Sequence, residues 1–445
     1  MKSHSVHVCR ECGTTSPRWA GRCPGCGEWN TLDEERTSSS RSRATLVATS
    51  LRDVAESASP TISTGVGELD RVLGGGVVAG STTLLFGEPG VGKSTLALMS
   101  LCALASSGTP VLLIAAEEST SQVAQRARRL GEVPGGLDVA PTTNVADAEQ
   151  LLRERRPVLC VIDSISAMSD DRLTGVAGSV TQVRHVAERL CTVAKATGTA
   201  LVLVGHVTKD GELAGPRTLE HLVDTVVRIE GDRQGSLRFL RTLKHRFGPT
   251  GEVGLLEMVH EGLRDLPDAA LVMRGPQLDV PGVVFTVTND GTRSLLVEMQ
   301  ALVASSSGAP RRVAHQVSSQ RLSLLLAVLE ARCDVDTSGA DVFAATAGGL
   351  PANEPGVDVA LALAVASAAL HFAVPRTLAA VGEVGLAGEL RAVSGLSRRV
   401  REAQRLGATS VIVPAQGELD GVVAMTVYRC RSLGEAIEAA RTDTK

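Results

Sequence analysis

The feature that most constrains this fold is a glycine-rich turn between an apolar strand and a helix. Residues 84–86 read as the strand, and residues 96–99 continue the helix. The turn fits the pattern G-x-x-x-x-G-K-[ST] and consists of Gly87, Glu88, Pro89, Gly90, Val91, Gly92, Lys93, Ser94 and Thr95. Its glycines let several backbone N–H groups point at one anion, and the helix N-terminus adds partial positive charge. The pattern predicts a phosphate-binding loop; the alternative is a turn that carries a lysine by chance.

Within such a loop, two side chains have predicted roles. Lys93 reaches the β- and γ-phosphates, and the Ser94 hydroxyl binds Mg²⁺. Further along, residues 158–162 read as a buried strand that ends at Asp163. Four apolar residues followed by an aspartate are typical of the second Mg²⁺-binding element of a phosphate-loop ATPase. We therefore predict that this chain binds a nucleoside triphosphate with Mg²⁺.

Two more apolar strands end in polar residues. Residues 111–115 are followed by Glu117 and Glu118, and residues 201–204 are followed by His206. A carboxylate at a strand end beside the phosphate loop can polarise the water that attacks the γ-phosphate. We predict this role for Glu117, which comes first off the strand; the alternatives are Glu118 and an exposed loop pair without function. His206 is predicted to sense the γ-phosphate, or is an ordinary strand-end histidine.

Four of the nine cysteines form two C-x-x-C pairs separated by ten residues. These are Cys9, Cys12, Cys23 and Cys26. Four thiolates at this spacing suit a tetrahedral Zn²⁺, which would supply the folding energy that so small a segment lacks. The alternative, a pair of redox motifs, needs a thioredoxin-like βαβ context that the sequence does not show.

The composition favours globular domains and restricts the partners. Of 445 residues, 43% are hydrophobic and 21% charged, enough for two or three domains. Because the net charge is −4, contact with nucleic acid requires a local basic surface. No apolar run is long enough to span a bilayer, and no secretory signal is seen. We predict a cytoplasmic protein with no membrane partner.

Taken in order, these motifs resemble the bacterial RadA (Sms) family of DNA repair proteins. The resemblance covers nearly the whole chain and includes the cysteine pairs, the phosphate loop and residues 205–211, 219–224 and 244–248. The family pattern in the last block is Lys-Asn-Arg-Phe-Gly, and this chain has His245 in place of the asparagine. Lys244 and Arg246 of that block are retained.

The resemblance implies an α/β fold with three domains. We expect a C4 zinc ribbon over residues 1–35, a linker over 36–50, a RecA-like ATPase over 51–265 and an α+β Lon-protease-like domain over 281–445. It also implies a hexameric ring related to replicative helicases such as DnaB, in which a neighbouring subunit inserts a basic finger into each nucleotide site. Lys244 and Arg246 are the candidates for that finger; the alternative is a basic hairpin that contacts DNA.

By the same resemblance, the loops after Asp163 and His206 line the central channel of the ring. The side chains expected to meet the DNA backbone there are Arg172, Arg184, Lys209 and Arg217.

The C-terminal domain lacks the Ser–Lys dyad of Lon. Gly356 follows Pro355 at the serine position, and Ser397 follows Leu396 at the lysine position. No nucleophile–base pair can form there, so we expect a scaffold and not a protease. The next helix carries Arg398, Arg399, Arg401 and Arg405, which we predict to form a solvated face, with DNA contact as the second interpretation.

The resulting hypothesis is a DNA-stimulated ATPase of recombinational repair that uses ATP, Mg²⁺ and Zn²⁺. Its expected partners are single-stranded and branched DNA, the recombinase RecA and further copies of itself. The alternatives are a RecA-fold signalling ATPase that acts on proteins without DNA, and an ATP-dependent protease.

Overall fold

The computed structural model describes most of the chain. It covers residues 5–9, 15–16, 18–25, 27–36, 61–173, 176–206, 216–231, 236–266, 280–306, 308–347, 350–421 and 424–443, and only the backbone of residues 5–9, 15, 32–36, 216 and 217. The chain divides into two compact units, Met1–Ala58 and Ser59–Lys445. None of the helices in the covered ranges has the length and hydropathy needed to cross a bilayer.

The first unit contains a small antiparallel sheet in the order β2-β1-β3. Its strands are β1 Ser5–Cys9, β2 Thr15–Ser16 and β3 Leu32–Arg36. Between β2 and β3 the chain makes a tight turn, in which the Gly27 N–H donates to the Cys23 carbonyl over 3.0 Å.

The second unit begins with a nine-stranded mixed sheet. Its order is β14-β13-β12-β11-β6-β10-β9-β7-β8. The strands are β6 Thr82–Gly87, β7 Val111–Ala115, β8 Leu137–Ala140, β9 Leu159–Asp163, β10 Ala200–His206, β11 Thr225–Glu230, β12 Leu237–His245, β13 Val253–Val259 and β14 Gly262–Asp265. The strands from β11 to β8 in this order are parallel, and β12, β13 and β14 add antiparallel pairs at the other edge.

Helices cover both faces of this sheet, as a mostly parallel sheet requires. They are α1 Gly67–Val72, α2 Lys93–Ser106, α3 Thr120–Leu130, α4 Val145–Arg155, α5 Val180–Thr197 and α6 Pro216–Glu220. A short antiparallel pair, β4 Thr61–Ile62 and β5 Val77–Val78, flanks α1. Helices α1, α2 and α3 pack on one face, and α4 and α5 pack on the other. The predicted strands and helices around the phosphate loop are confirmed.

The remainder of the second unit is an α+β fold around a seven-stranded sheet in the order β17-β18-β16-β15-β19-β22-β23. The strands are β15 Val283–Asp290, β16 Arg293–Ser305, β17 Arg312–His315, β18 Ala340–Thr346, β19 Leu378–Ala380, β22 Ser410–Pro414 and β23 Thr426–Cys430. The hairpin β20 Glu383–Val384 and β21 Leu390–Arg391 lies apart from it. The helices are α7 Ser319–Cys333, α8 Asp358–Leu370, α9 Leu396–Arg405 and α10 Leu433–Thr442.

The nine-stranded and seven-stranded sheets share a hydrophobic core. Leu237 and Phe239 of β12 and Leu255 of β13 belong to the same buried cluster as Val297 of β16 and Leu361 of α8. A buried ion pair between Glu68 of α1 and Arg293 of β16 also crosses between them. The ATPase and C-terminal regions are therefore packed into one unit. The residue ranges given above for the three domains and the linker remain predictions.

Candidate ATPase site

The phosphate loop connects the end of β6 to the start of α2. Gly92 has a φ of 113°, in the left-handed region that favours glycine. A Cβ on Gly87 would lie 2.2 Å from the Ile229 carbonyl oxygen of β11, so this position has room only for glycine. The Lys93 Nζ donates hydrogen bonds to the carbonyls of Gly87 and Glu88, each over 2.9 Å. The loop thus folds around the Lys93 side chain, and two of its carbonyls hold the ammonium.

Lys93 and Asp163 are both charged groups held away from solvent. Lys93 is 3% exposed, and burial lowers its pKa against the opposing charges of Asp163 and Glu117. Burial raises the pKa of Asp163 at the end of β9, while a hydrogen bond from the Ser94 side chain and the nearby Arg126 oppose that shift. A hydroxyl paired with a carboxylate is the oxygen donor set that Mg²⁺ takes in phosphate-loop sites. The loop, Ser94 and Asp163 therefore fit a Mg²⁺–nucleotide.

The two glutamates after β7 have different partners. Glu117 Oε1 accepts a hydrogen bond from Ser164 Oγ and lies 3.5 Å from Nε2 of His206. Glu118 forms an ion pair with Arg126 of α3, whose guanidinium is also 3.9 Å from an Asp163 oxygen. Of the two glutamates, it is Glu117 that faces the end of β10 through His206.

The structure brings five predicted residues to one edge of the parallel sheet, because β6, β7, β9 and β10 end there. These residues are Lys93, Ser94, Glu117, Asp163 and His206. Sequence reasoning missed Ser164 and Arg126. Ser164 directly follows Asp163, and a serine after a strand carries no signal of its own. Arg126 also gave no signal, because an arginine on an amphipathic helix is usually solvated.

Lys244 and Arg246 lie at the end of β12 and contact a different segment. Lys244 Nζ donates to the carbonyls of Glu220 and Val223 over 2.5 and 2.8 Å. Arg246 pairs with the Asp224 carboxylate over 2.9 Å. Burial, and then the neighbouring Arg246, lower the pKa of Lys244. Both side chains reach towards residues 220–224.

Of the four residues predicted to contact DNA, the structure describes the side chains of two. Arg172 donates to both oxygens of Asp170 over 3.0 and 2.9 Å, and its own side chain is 68% exposed. Arg184 on α5 pairs with Glu188 over 2.9 Å. Lys209 lies outside the described residues, and for Arg217 only the backbone, in α6, is described.

Of the four predicted zinc ligands, the structure describes the side chain of one. Cys23 is 3% exposed, and its Sγ accepts a hydrogen bond from the Gly25 N–H over 3.3 Å. An N–H bond to sulfur supports a thiolate ligand, so this residue fits a zinc knuckle. The backbone of Cys9 ends β1, and Cys12 and Cys26 lie outside the described residues.

In the C-terminal domain, the prediction for Arg399 was wrong. Its side chain is 1% exposed, since α9 buries Leu396, Arg399, Val400 and Ala403 on one stripe. Its guanidinium forms a two-pronged ion pair with Glu354. Arg398, Arg401 and Arg405 are exposed, as a solvated face requires.

The same guanidinium occupies the place where the Lon serine side chain would project. A Cβ on Gly356 would lie 2.8 Å from Arg399 Nη1. At the lysine position, Ser397 Oγ accepts a hydrogen bond from the Asp420 N–H over 2.9 Å.

Comparison with known proteins agrees with this architecture. Family models described as an AAA domain, a rubredoxin metal binding domain and the Lon protease (S16) C-terminal proteolytic domain match residues 63–212, 7–34 and 336–424. The RecA-like core with a zinc ribbon and a Lon-like domain is thus the fold of this chain, and ATP, Mg²⁺ and Zn²⁺ are its cofactors.

Two relatives match almost from end to end. The DNA repair protein RadA of Mycolicibacterium smegmatis is 42% identical over 99% of this chain and 97% of its own length. That of Bacillus subtilis is 40% identical over 99% of both chains. The crystal structure of the RadB recombinase is similar over 46% of this chain and 100% of that chain, with 23% identity and a TM-score of 0.37. On the two full-length matches, this chain belongs to the RadA family of DNA repair proteins.

Proposed function

We propose that this protein is a DNA-stimulated ATPase that processes recombination intermediates. The observation that carries the proposal is the convergence of Lys93, Ser94, Glu117 and Asp163 at one edge of the parallel sheet. We further propose that it works as a hexameric translocase on single-stranded and branched DNA, driving branch migration beside RecA in the cytoplasm.

Each residue at the strand ends has a proposed task. The backbone N–H groups of the phosphate loop and the Lys93 ammonium hold the phosphates of ATP. Ser94 and Asp163 hold Mg²⁺, which supplies positive charge at the phosphates when bound. Glu117 accepts a proton from the attacking water. His206 contacts Glu117 over 3.5 Å, at the start of the loop that we propose to line the DNA channel.

The ring proposal gives Lys244 and Arg246 a role at the neighbouring subunit. Arg246 is 56% exposed although it pairs with Asp224, so it can exchange that partner for one on another chain at modest cost. Lys244 is held more tightly by two carbonyls. Arg246 is therefore the better candidate for the charge that completes the nucleotide site in trans.

The alternatives have less support. A protein-only signalling ATPase does not account for the match of nearly full length to proteins named for DNA repair. A protease needs a nucleophile, and we infer that the Lon-like domain does not cleave peptides because Gly356 has no side chain and Arg399 occupies the space beside it.

The discriminating experiment is ATP hydrolysis measured with and without single-stranded DNA. The proposed function predicts a higher turnover number when DNA is added, with stimulation that weakens as salt increases, since backbone contacts are electrostatic. A turnover number that is the same with and without DNA at low salt supports the signalling alternative instead.

A further inference from the structure

Ser164 lies at the centre of the nucleotide site without an assigned task. Its side chain is fully buried, with 0% exposure. Its Oγ donates to Glu117 Oε1 and lies 2.6 Å from Ser166 Oγ. A buried hydroxyl bonded to a partly exposed carboxylate fixes that carboxylate relative to the sheet, because the hydroxyl itself has little freedom to move.

The two oxygens of Glu117 are in different situations. Oε1 receives the Ser164 hydrogen bond and lies 3.5 Å from His206 Nε2. Within the part of the chain that the structure describes, no residue donates a hydrogen bond to Oε2. The glutamate side chain is 45% exposed. One oxygen is thus held by protein while the other remains open to water.

This arrangement matters because a glutamate side chain has several rotatable bonds. A general base must lie within hydrogen-bond reach of the proton that it removes. Without a fixed partner, an exposed glutamate spends much of its time in other rotamers. Holding one oxygen limits the positions that the second oxygen can take, which is how a supporting residue pre-organises a reactive group.

We propose that Ser164 is a positioning residue for ATP hydrolysis, holding Glu117 Oε1 so that Oε2 faces the attacking water. The inference rests on the proposed function, in which Glu117 is the base. In that step the water oxygen bonds to the γ-phosphorus as the bond to the β,γ-bridging oxygen breaks. The water proton passes to Glu117 Oε2, and ADP and inorganic phosphate are the products.

The test is a double-mutant cycle on the full-length protein with ATP as the probe. Ser164→Ala is expected to lower kcat about 10- to 100-fold, the range for a lost hydrogen bond to a charged group, and to leave KM for ATP within about twofold. In a Glu117→Gln background, Ser164→Ala is expected to cause no further loss, because residues that act through one group are not additive. Single-turnover assays make the residual rates measurable.

The matched control is Ser100→Ala, which removes another buried hydroxyl. Ser100 is 3% exposed and donates only within its own helix, to the Leu96 carbonyl over 3.0 Å. Thermal unfolding of all variants separates loss of fold from loss of positioning. The control is expected to keep the wild-type kcat.

The outcomes separate this inference from the proposed function. If Glu117→Gln is inactive while Ser164→Ala keeps the wild-type kcat, the positioning role is overturned and the ATPase assignment stands. Equal losses from Ser164→Ala in both backgrounds also overturn it, since the serine would then act independently of Glu117. If Glu117→Gln hydrolyses ATP at the wild-type rate, the proposed base itself is wrong.

Discussion

The nucleotide edge of the nine-stranded sheet and the Gly356 region of the Lon-like domain both contain buried charge, and they satisfy it differently. Lys93 is 3% exposed, and among the described residues no carboxylate forms an ion pair with it; its ammonium contacts two loop carbonyls. Arg399 is 1% exposed and donates to Glu354 and to the carbonyls of Val287 and Ser394 over 2.8 and 3.0 Å. Lys93 can exchange carbonyl partners for phosphate, whereas Arg399 is already paired with a carboxylate and two internal carbonyls.

The two regions differ in whether a buried cation keeps partners that a ligand could replace. In the Lon-like domain Gly356 stands at the position of the Lon serine, and the buried guanidinium of Arg399, paired with Glu354, lies against it. At the nucleotide edge Lys93 contacts carbonyls that a phosphate can replace, and Arg126 lies 3.9 Å from an Asp163 oxygen. Replaceable partners are typical of a binding site, and internal pairing with a carboxylate is typical of a scaffold.

The largest effect expected outside the phosphate loop comes from Arg246. Arg246→Ala is expected to lower turnover by about 10³- to 10⁵-fold, the value of such a finger, with nucleotide affinity largely intact. Steady-state ATPase and equilibrium nucleotide binding measure the two effects. Arg228→Ala is the control, because Arg228 on the adjacent strand is 48% exposed and pairs with Glu230 over 2.9 Å. If Arg246→Ala keeps its DNA-free rate and loses only stimulation, the residue contacts DNA.

Mixing Arg246→Ala with Lys93→Ala protein sharpens this prediction. In a mixed ring, an intact phosphate loop on one subunit can meet an intact finger on its neighbour. Some activity is therefore expected to return. A mixture that stays inactive at every ratio, with subunit exchange demonstrated, excludes the finger in trans.

The next effect concerns stability in the Lon-like domain. Glu354→Gln leaves the buried Arg399 charge without its partner, so the free energy of unfolding is expected to fall by about 3–5 kcal/mol. Glu402→Gln on α9 breaks the ion pair with Arg405, whose side chain is 51% exposed. This change should lower the free energy of unfolding by about 1 kcal/mol or less. Urea unfolding compares the two. Equal losses of unfolding free energy in the two variants would show that the buried pair contributes no more to stability than the exposed one.

The Glu354–Arg399 pair also predicts an acid dependence. Burial raises the pKa of Glu354 more than any other single cause, but the hydrogen bonds and charge of Arg399, together with hydrogen bonds from the Asn289 N–H and the Thr288 hydroxyl, give a net downward shift. The folded state therefore holds fewer protons than the unfolded chain in this pH range. The contribution of the pair to the free energy of unfolding is complete above the ordinary glutamate pKa of about 4.3, and it is lost as pH falls through the folded-state pKa.

A smaller loss of stability is expected when a serine is introduced at the position of Gly356. In Gly356→Ser the new Cβ meets the Arg399 guanidinium, which Glu354 holds in place, so overpacking is expected to cost about 1–3 kcal/mol. Adding Ser397→Lys is expected to give no peptide cleavage. Unfolding curves and a casein-cleavage assay measure these outcomes. Cleavage by the double variant would show that the region retains a working geometry.

The smallest effect concerns His245, which replaces the asparagine of the family pattern. Burial lowers the pKa of His245, with a backbone contact to Leu73 opposing the shift. The unfolded chain therefore binds a proton first, and stability falls as pH drops below about 6.5, levelling below the folded-state pKa. His245→Asn is expected to remove this component, which should be about 1 kcal/mol or less because solvent partly screens the ring. Identical pH profiles of unfolding for both proteins would contradict it.

Much of the nucleotide site could be predicted from the sequence because its residues are local to strand ends. Lys93, Asp163 and Glu117 each follow an apolar strand, and parallel strands end at a common edge. Ser164 could not be assigned, because its role depends on Glu117, which is distant in sequence and adjacent only across the β7–β9 pair. Arg399 did leave a signal: it falls on the apolar stripe of α9, between Leu396 and Val400.

The shared core of the two sheets could not be read from the sequence. The apolar positions of β12 predict a buried strand, but they do not show that Leu237 and Phe239 pack in one cluster with the Lon-like domain. Periodicity gives the buried face of an element and leaves its partner undetermined.

The measurement that tests the central claim most directly is ATP turnover by Lys93→Ala beside the wild type, with and without single-stranded DNA. The central claim is that ATP is hydrolysed at the nucleotide edge of the nine-stranded sheet. It predicts that Lys93→Ala has no measurable turnover under either condition while its thermal unfolding stays close to wild type. ATP turnover at the wild-type rate in a folded Lys93→Ala protein would contradict the account.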